Sequence, residues 1–307
     1  MPSDRSLTAL GLHTAPLSDP LTYPGATPDA SGLLVQGHYL RLIPVRGRRL
    51  GQWWVESAAD GGQVPLDHVL LRHDRVDAGA RVPVLAVGSN AAPAQLHHKF
   101  TRRGVLGAVP MVKAVVTGLR SGVSAHVGRA GYVPATSVLA AGAPSTLTLS
   151  WLTEAQLAVL DGTELHYNRV LLPGARFPVE LPSGERLGGC QAYVSKHGCL
   201  LADDGAPLAL LPQRELLTVL LERSAALREL LGRTPEAAVA RAAADEAVRE
   251  AARRIFATEG QIGRQPELEA LAALESLEAL GTPNRWGPAY DELPPLALPD
   301  PAPPPAA

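Results

Sequence analysis

The segment Val82 to Phe100, VPVLAVGSNAAPAQLHHKF, constrains this chain more than any other. Val82, Val84, Leu85 and Val87 form a short apolar run, Gly88-Ser89-Asn90 a tight turn, and the residues beyond it a helix. Asn90 or Ser89 is the expected helix cap, because a short side-chain oxygen accepts from the free N–H groups of a first turn. Pro93 is tolerated there, since those N–H groups have no intrahelical partner. A glycine at such a junction, with helix N–H groups aimed outward, suits an anionic group of a ligand. The same residues also satisfy an ordinary capped strand–helix turn, so the motif needs a second element before it means more.

Of the 307 residues, 46% are hydrophobic and 19% charged, and the formal net charge is −2. That suffices for one large core or two. The balance leaves no basic footprint for nucleic acid, and no apolar run reaches the length of a membrane span. The N-terminus has no charged region followed by an apolar one, so a cytoplasmic protein is expected. Oligomeric state is left open. Cys190 and Cys199 are expected as free thiols, facing each other across a hairpin, and no Cys/His spacing points to a metal.

Composition divides the chain. Residues 1–32 are rich in Pro, Ser, Thr, Gly and Asp and read as an irregular, disordered arm. Residues 33–80 carry strand-like runs (LLVQGHYLRLIPV, LGQWWVES, VLLRHDRV) between turns at Arg46-Gly47 and Asp60-Gly61-Gly62. Residues 81–220 form the central unit. After a helix stop at Arg102-Arg103-Gly104 it holds the runs MVKAVVTGL, VSAHVG, YVPATSVLA and STLTLSWL, then YNRVLLPG, RFPVELP and LGGCQAYVSKHGCLL. That spacing predicts a meander or small barrel. Residues 221–282 belong to a set of periodic helices, expected over Arg214–Leu231, Pro235–Phe256 and Pro266–Leu280 with stops at Gly232 and Gly281. Glu246, Arg249, Glu250 and Arg253 read as a solvated face of the second. Residues 283–307 are a Pro-rich tail.

Thr153-Glu154-Ala155-Gln156 is a capping box, with Leu152 and Leu157 placed to act as a hydrophobic staple. Leu157 and Leu160 take the inner face of the helix that follows. If the helical turn continues, Glu164 falls four residues past Leu160 on the same face. A carboxylate aimed at apolar surroundings is costly without a partner. The alternative is that the helix frays at Gly162 and Glu164 meets water.

Leu85-Ala86-Val87-Gly88-Ser89-Asn90, the strands through GYVPATSVL and STLTLSWL, and LTEAQLAVLDGTELHYNRV together resemble the γ-glutamylcyclotransferase-like family. The resemblance covers about residues 82–220. It implies an α+β fold: a small mixed β-barrel with flanking helices, here with an N-terminal β extension and a C-terminal helical one. Its enzymes cyclise γ-glutamyl compounds to 5-oxoproline with release of an amine, without cofactor or metal. It implies that Gly88, Ser89 and Asn90 hold the glutamyl end of a small-molecule substrate. Glu164 sits where the family carries its catalytic carboxylate, and Tyr167 matches a tyrosine just after it. Such a carboxyl, its proton affinity raised by partial burial, can deprotonate the attacking α-amine and then protonate the departing nitrogen.

Three positions depart from the family pattern. Val87 replaces a tyrosine, Leu165 a glycine, and Leu216 the tyrosine of a later Pro-Ser-x-x-Tyr segment. The alternative reading is a module on the same fold that binds small molecules or another protein without turnover. It expects Glu164 exposed or salt-bridged, whereas the enzyme needs Glu164 on a cavity shared with Gly88 to Asn90. A nucleotide-binding loop lacks the GxGxxG and GxxxxGK[ST] spacings, and Ser89 lacks a nucleophile elbow. His97 and His98, adjacent on the first helix, are expected at the surface. His126 and His166 are candidates for the pocket wall.

Overall fold

The computed structural model describes residues 4–56 and 62–271. In chain order the elements are β1 (Gly32–Val35), β2 (His38–Ile43), β3 (Trp54–Glu56), β4 (Gln63–Pro65), α1 (Leu66–Asp74), β5 (Val82–Ala86), α2 (Pro93–Arg102), β6 (Ala108–Val123) and β7 (Ala135–Leu152). There follow α3 (Glu154–Asp161), β8 (Tyr167–Pro173), β9 (Val179–Glu180), β10 (Arg186–Leu187), β11 (Gly189–Ser195), β12 (Cys199–Leu200), α4 (Gln213–Arg223), α5 (Ala225–Leu231), α6 (Pro235–Ala244), α7 (Glu246–Thr258) and β13 (Ile262–Gly263). Among the described residues, no helix is long and apolar enough to cross a membrane.

The architecture is α+β, built on one large mixed sheet. Its path is β4-β3-β2-β1-β6-β7-β5-β11-β8, with β9 joined to β6 and β10 to β9. Every pair is antiparallel except β5 with β11. The path is open, with β4 and β8 at its two ends, so the expected small barrel is not found as a closed one. The long hairpin β6–β7 accounts for the difference, because its strands pair outward with β1, β9 and β5 and spread the sheet sideways. Three expected strands, MVKAVVTGL, YVPATSVLA and STLTLSWL, have merged into this hairpin. VSAHVG supplies only the end of β6 and then a loop, with an isolated bridge from Ser124 to Cys199. The register shifts between Thr117 and Gly118, where Gly118 takes φ +91° and bends β6.

Alternation along the central strands divides the core. Leu85, Val112, Ala114 and Val116 face one cluster with Trp53 and Trp151. Val84, Val109 and Met111 face another, covered by α2 (Leu96, Phe100) and α3 (Leu157, Leu160). Val123 and Val127 join α4–α7 in a third, which also contains Leu216. The buried pair Arg81–Asp74, at 2.5 Å, ties the end of α1 to β6, since Arg81 Nη1 also donates to Ala108 O at 2.7 Å.

The arm is irregular, as expected, but it is ordered. Residues 4–31 lie folded against the sheet, with Leu7, Leu12 and Tyr23 buried. Leu7 N donates to Gly37 O, and Tyr39 N to Arg5 O, both at 2.9 Å. Its few apolar residues are spaced widely enough to dock on α2 and β2, which a composition average hides.

The C-terminal helices are shorter than expected. Ser224 and Asp245 each leave helical geometry to cap a new helix, accepting from Leu227 N and Ala247 N. Gly232 ends α5 at φ +92°. Helix over 266–271 begins the third expected segment, and its remainder, Gly281, Asp60-Gly61 and the Pro-rich tail lie outside the described residues. Cys190 and Cys199 are free and buried but do not face each other across a hairpin. Cys190 opposes Leu172 and Cys199 opposes Gly263, because β11 and β12 belong to different sheets. Burial pushes the Cys190 thiol up to about 12, which leaves it inert.

Candidate functional site

β5 delivers the chain to Gly88 at its C-terminal end, where Ser89–Ala91 forms a single 3₁₀ turn and α2 begins at Pro93. Neither expected cap acts as one. The N-cap position is Ala92, without a side-chain bond, because the inserted turn moves Ser89 and Asn90 out of reach. Asn90 is occupied elsewhere: its Nδ2 donates to Glu164 Oε1 at 3.0 Å, and its Oδ1 accepts from Lys99 Nζ at 2.9 Å. Lys99 Nζ also donates to Glu164 Oε1, at 2.7 Å. The Lys99 and Glu164 side chains are 5% and 15% exposed. Lys99, on the buried face of α2, is a site residue that the sequence reading missed.

Glu164 reaches this position from a turn. The capping box forms as expected, with Thr153 Oγ1 accepting from Gln156 N and Gln156 Oε1 from Thr153 N. α3 nonetheless stops at Asp161, and two bonds to Leu160 O, from the N–H groups of Thr163 and Glu164, fold the next residues inward. Asp161 anchors that end, since its Oδ1 accepts from Tyr193 Oη at 2.8 Å and Arg169 Nε at 3.0 Å. Lys196 holds the far side of the turn, its N bonded to His166 O and its Nζ to Leu165 O. Leu165 is 71% exposed and does not take positive φ, so the missing glycine costs this turn nothing.

Gly88, Ser89, Asn90, Glu164 and Tyr167 line one cavity of about 390 Å³. Lys99, Gln95, Tyr23, Tyr132 and Arg103 line it too. Tyr23 comes from the arm, stacks on Tyr132 with ring centroids 4.4 Å apart, and accepts from Ala135 N at 2.7 Å. Tyr167 Oη donates to Ala135 O at 2.8 Å. Gly88 is required by this packing and not by its dihedrals: a Cβ there would strike the Tyr23 hydroxyl and lie 2.8 Å from Ala135 Cβ. Val87 leaves the wall without the expected hydroxyl, and Tyr23 supplies one from a different part of the chain. Leu216, the third departure, packs into the helical core and does not line the cavity.

Several polar groups remain open to a ligand. Among the described residues nothing hydrogen-bonds Glu164 Oε2, the Tyr132 hydroxyl or the Arg103 side chain. Gln95 Oε1 accepts from Leu17 N at 3.2 Å, but its buried Nε2 has no partner. The turn's own bonds begin at Ala91 N, so the N–H of Asn90 stands outside them. Burial foremost, with the Glu164 charge adding, pushes the Tyr23, Tyr132 and Tyr167 hydroxyls above the ordinary phenol range, so they stay neutral donors. His97 and His98 are half-buried on α2 and face a separate depression, while His126 and His166 do line the cavity.

No family model and no curated protein matches the chain. Among solved structures, a protein of Arabidopsis thaliana matches at 19% identity, over 46% of this chain and 76% of its own, with a TM-score of 0.30. A second Arabidopsis thaliana protein matches at 15% identity, over 47% and 85%, with a TM-score of 0.29. A third match is a gamma-glutamyl cyclotransferase, at 14% identity over 38% of this chain and 66% of that one, with a TM-score of 0.28. This last is of the family that the sequence motifs resemble.

Proposed function

We propose that this chain is a γ-glutamylcyclotransferase-like enzyme that releases an amine from a γ-glutamyl amide and closes the remainder to 5-oxoproline. One observation carries the reading. Glu164 has one carboxylate oxygen fixed by Lys99 and Asn90, and the other unbonded, on a cavity shared with the Gly88–Asn90 turn.

In this scheme Glu164 Oε2 accepts a proton from the substrate's α-ammonium. The freed amine attacks the γ-carbonyl carbon, and a tetrahedral oxyanion forms. The bond from that carbon to the leaving nitrogen then breaks as Glu164 returns the proton to it, and the regenerated carboxylate takes the surplus proton of the ring nitrogen and passes it to the released amine. Lys99 and Asn90, both on Oε1, stop the carboxylate from rotating and keep Oε2 toward the substrate. The N–H of Asn90, the Tyr132 hydroxyl and Gln95 Nε2 supply donors for the α-carboxylate and the oxyanion. Gripping both ends of a flexible glutamyl chain removes much of the entropic barrier to ring closure. The scheme uses side chains and backbone only, and suits a cytoplasmic setting.

The Lys99–Glu164 ion pair also favours a second reading, a module that binds such compounds without turning them over. Release of 5-oxoproline from a panel of γ-glutamyl amino acids, γ-glutamyl amines and glutathione separates the two. The enzyme reading expects release by the wild type and none by Glu164→Gln, with circular dichroism showing both folded. Release by both proteins removes Glu164 from the acid–base role, and release by neither, with substrate bound, leaves the binding module.

A further inference from the structure

A second cavity, of about 510 Å³, adjoins the first across a shared wall of His126, Arg129 and His166. Its other side is the charged stripe of α7. Glu246, Arg249, Glu250 and Arg253 recur at helical spacing, and this face lines the cavity while staying partly solvated, the Arg253 and Glu250 side chains being 38% and 44% exposed. Opposite the stripe stand three imidazoles. The ring centroids of His126 and His166 lie 4.8 Å apart, those of His126 and His197 4.8 Å, and those of His166 and His197 5.2 Å. Among the described residues no group of His, Cys, Asp or Glu is arranged to hold a metal ion, so the imidazoles are read as hydrogen-bonding groups.

The lining is short of anions. Three guanidinium groups face two carboxylates, and Glu250 is already engaged, its Oε2 accepting from Arg253 Nε at 3.0 Å and Nη2 at 2.8 Å. Arg249 spends Nη1 on Ala242 O, and Arg129 has no partner among the described residues. Buried His126 binds Ser124 Oγ through Nδ1 at 2.7 Å, and its Nε2 makes no bond among the described residues. Like charges four apart on one helix face, such as Arg249 and Arg253, repel unless something negative lies between them. Guanidinium forks match the geometry of phosphate oxygens, and a cavity of this size exceeds what a bare oxyanion needs.

We propose that this second cavity is a binding site for a small phosphate-bearing molecule, its phosphoryl group held by Arg129, Arg249 and Arg253 and its remainder against the histidines. The site does not depend on the cyclotransferase reading. His126 and His197 are both held below the ordinary imidazole range, first by burial and then by neighbouring histidines and Arg253.

Isothermal titration of the full-length protein with O-phosphoserine, inorganic phosphate and, as a control, serine tests this directly, without any turnover. The expected result is saturable binding of O-phosphoserine, no binding of serine, and at least a ~10-fold weakening in Arg129→Gln and again in Arg249→Gln. Arg129 is exposed and has no partner among the described residues, so its replacement leaves the fold intact. Inorganic phosphate binding as tightly as O-phosphoserine would overturn the organic ligand. Absence of saturable binding by either phosphate probe up to ~10 mM, or equal affinity in both variants, would overturn the site. Because the readout is binding, failure of the cyclotransferase assay does not bear on it.

Discussion

Lys99 Nζ lies 2.7 Å from Glu164 Oε1, and Asn90 bonds both partners. A lysine and a glutamate withdrawn this far from water stabilise each other only as a pair, and removing either strands the other. Lys99→Met is therefore expected to cost about 3 kcal/mol, at the low end for a broken buried pair because Glu164 keeps some exposure. Glu164→Gln leaves the ammonium buried and also loses stability. The double variant Lys99→Met/Glu164→Gln should lose less than the sum of the two by about 1–3 kcal/mol. Urea unfolding of the four proteins measures this, and additive losses would show that the pair is not coupled.

Tyr23 and Gly88 make a second testable pair. Gly88→Ala drives a methyl into the Tyr23 hydroxyl and toward Ala135 Cβ, and is expected to cost about 1–3 kcal/mol. Tyr23→Phe alone leaves Ala135 N without its acceptor, at about 1–3 kcal/mol. If the clash is with that oxygen, Gly88→Ala costs less in the Tyr23→Phe background than in wild type. Equal cost in both backgrounds would assign the strain to Ala135.

The capping box admits a smaller test. Thr153→Ala removes the acceptor for Gln156 N and should cost about 1 kcal/mol by thermal or urea unfolding. It should also reduce 5-oxoproline release if α3 positions the turn that carries Glu164. A stability loss with unchanged release would mean that Asp161, tied to Tyr193 and Arg169, holds the turn without help from the cap.

These pairs show what the sequence made legible. The capping box was readable because its partners are three residues apart, and the strand–turn–helix because its period changes from two to 3.6 in a few residues. Glu164 and Asn90 were singled out, yet what joins them was not. Lys99 carried one usable signal: it falls three residues after Leu96 and beside Phe100, a charge on the apolar face of α2. Tyr23 carried none, because a Pro- and Gly-rich arm resembles disorder until the surface it docks on is known. The open sheet was hidden for a similar reason. Gly118, near the end of the run MVKAVVTGL, is a bulge within one long strand and not that strand's end, a distinction that depends on its partner in β7.

The histidines give the last prediction. His126 is buried, and its imidazole is held well below the ordinary range, first by that burial, then by His197, His166 and Arg253. His197 is shifted the same way, with Glu250 acting against the shift. Arg129 and Arg249 face the same cluster, and Tyr167 packs edge-on against His126, so among the described residues an added proton is offset by Glu246 and Glu250 and, across the shared wall, by Glu164, which Lys99 already pairs. An unfolded chain takes up a proton on each histidine near pH 6.5, whereas the folded chain resists until the pH is lower. Within that window the unfolded state binds more protons, so stability falls as pH drops below about 6.5, by up to about 1.4 kcal/mol per unit for each such group. Urea unfolding at pH 7.5, 6.5 and 5.5 should show this loss in wild type and a shallower one in His126→Gln. Parallel losses in the two proteins would assign the acid sensitivity to other groups.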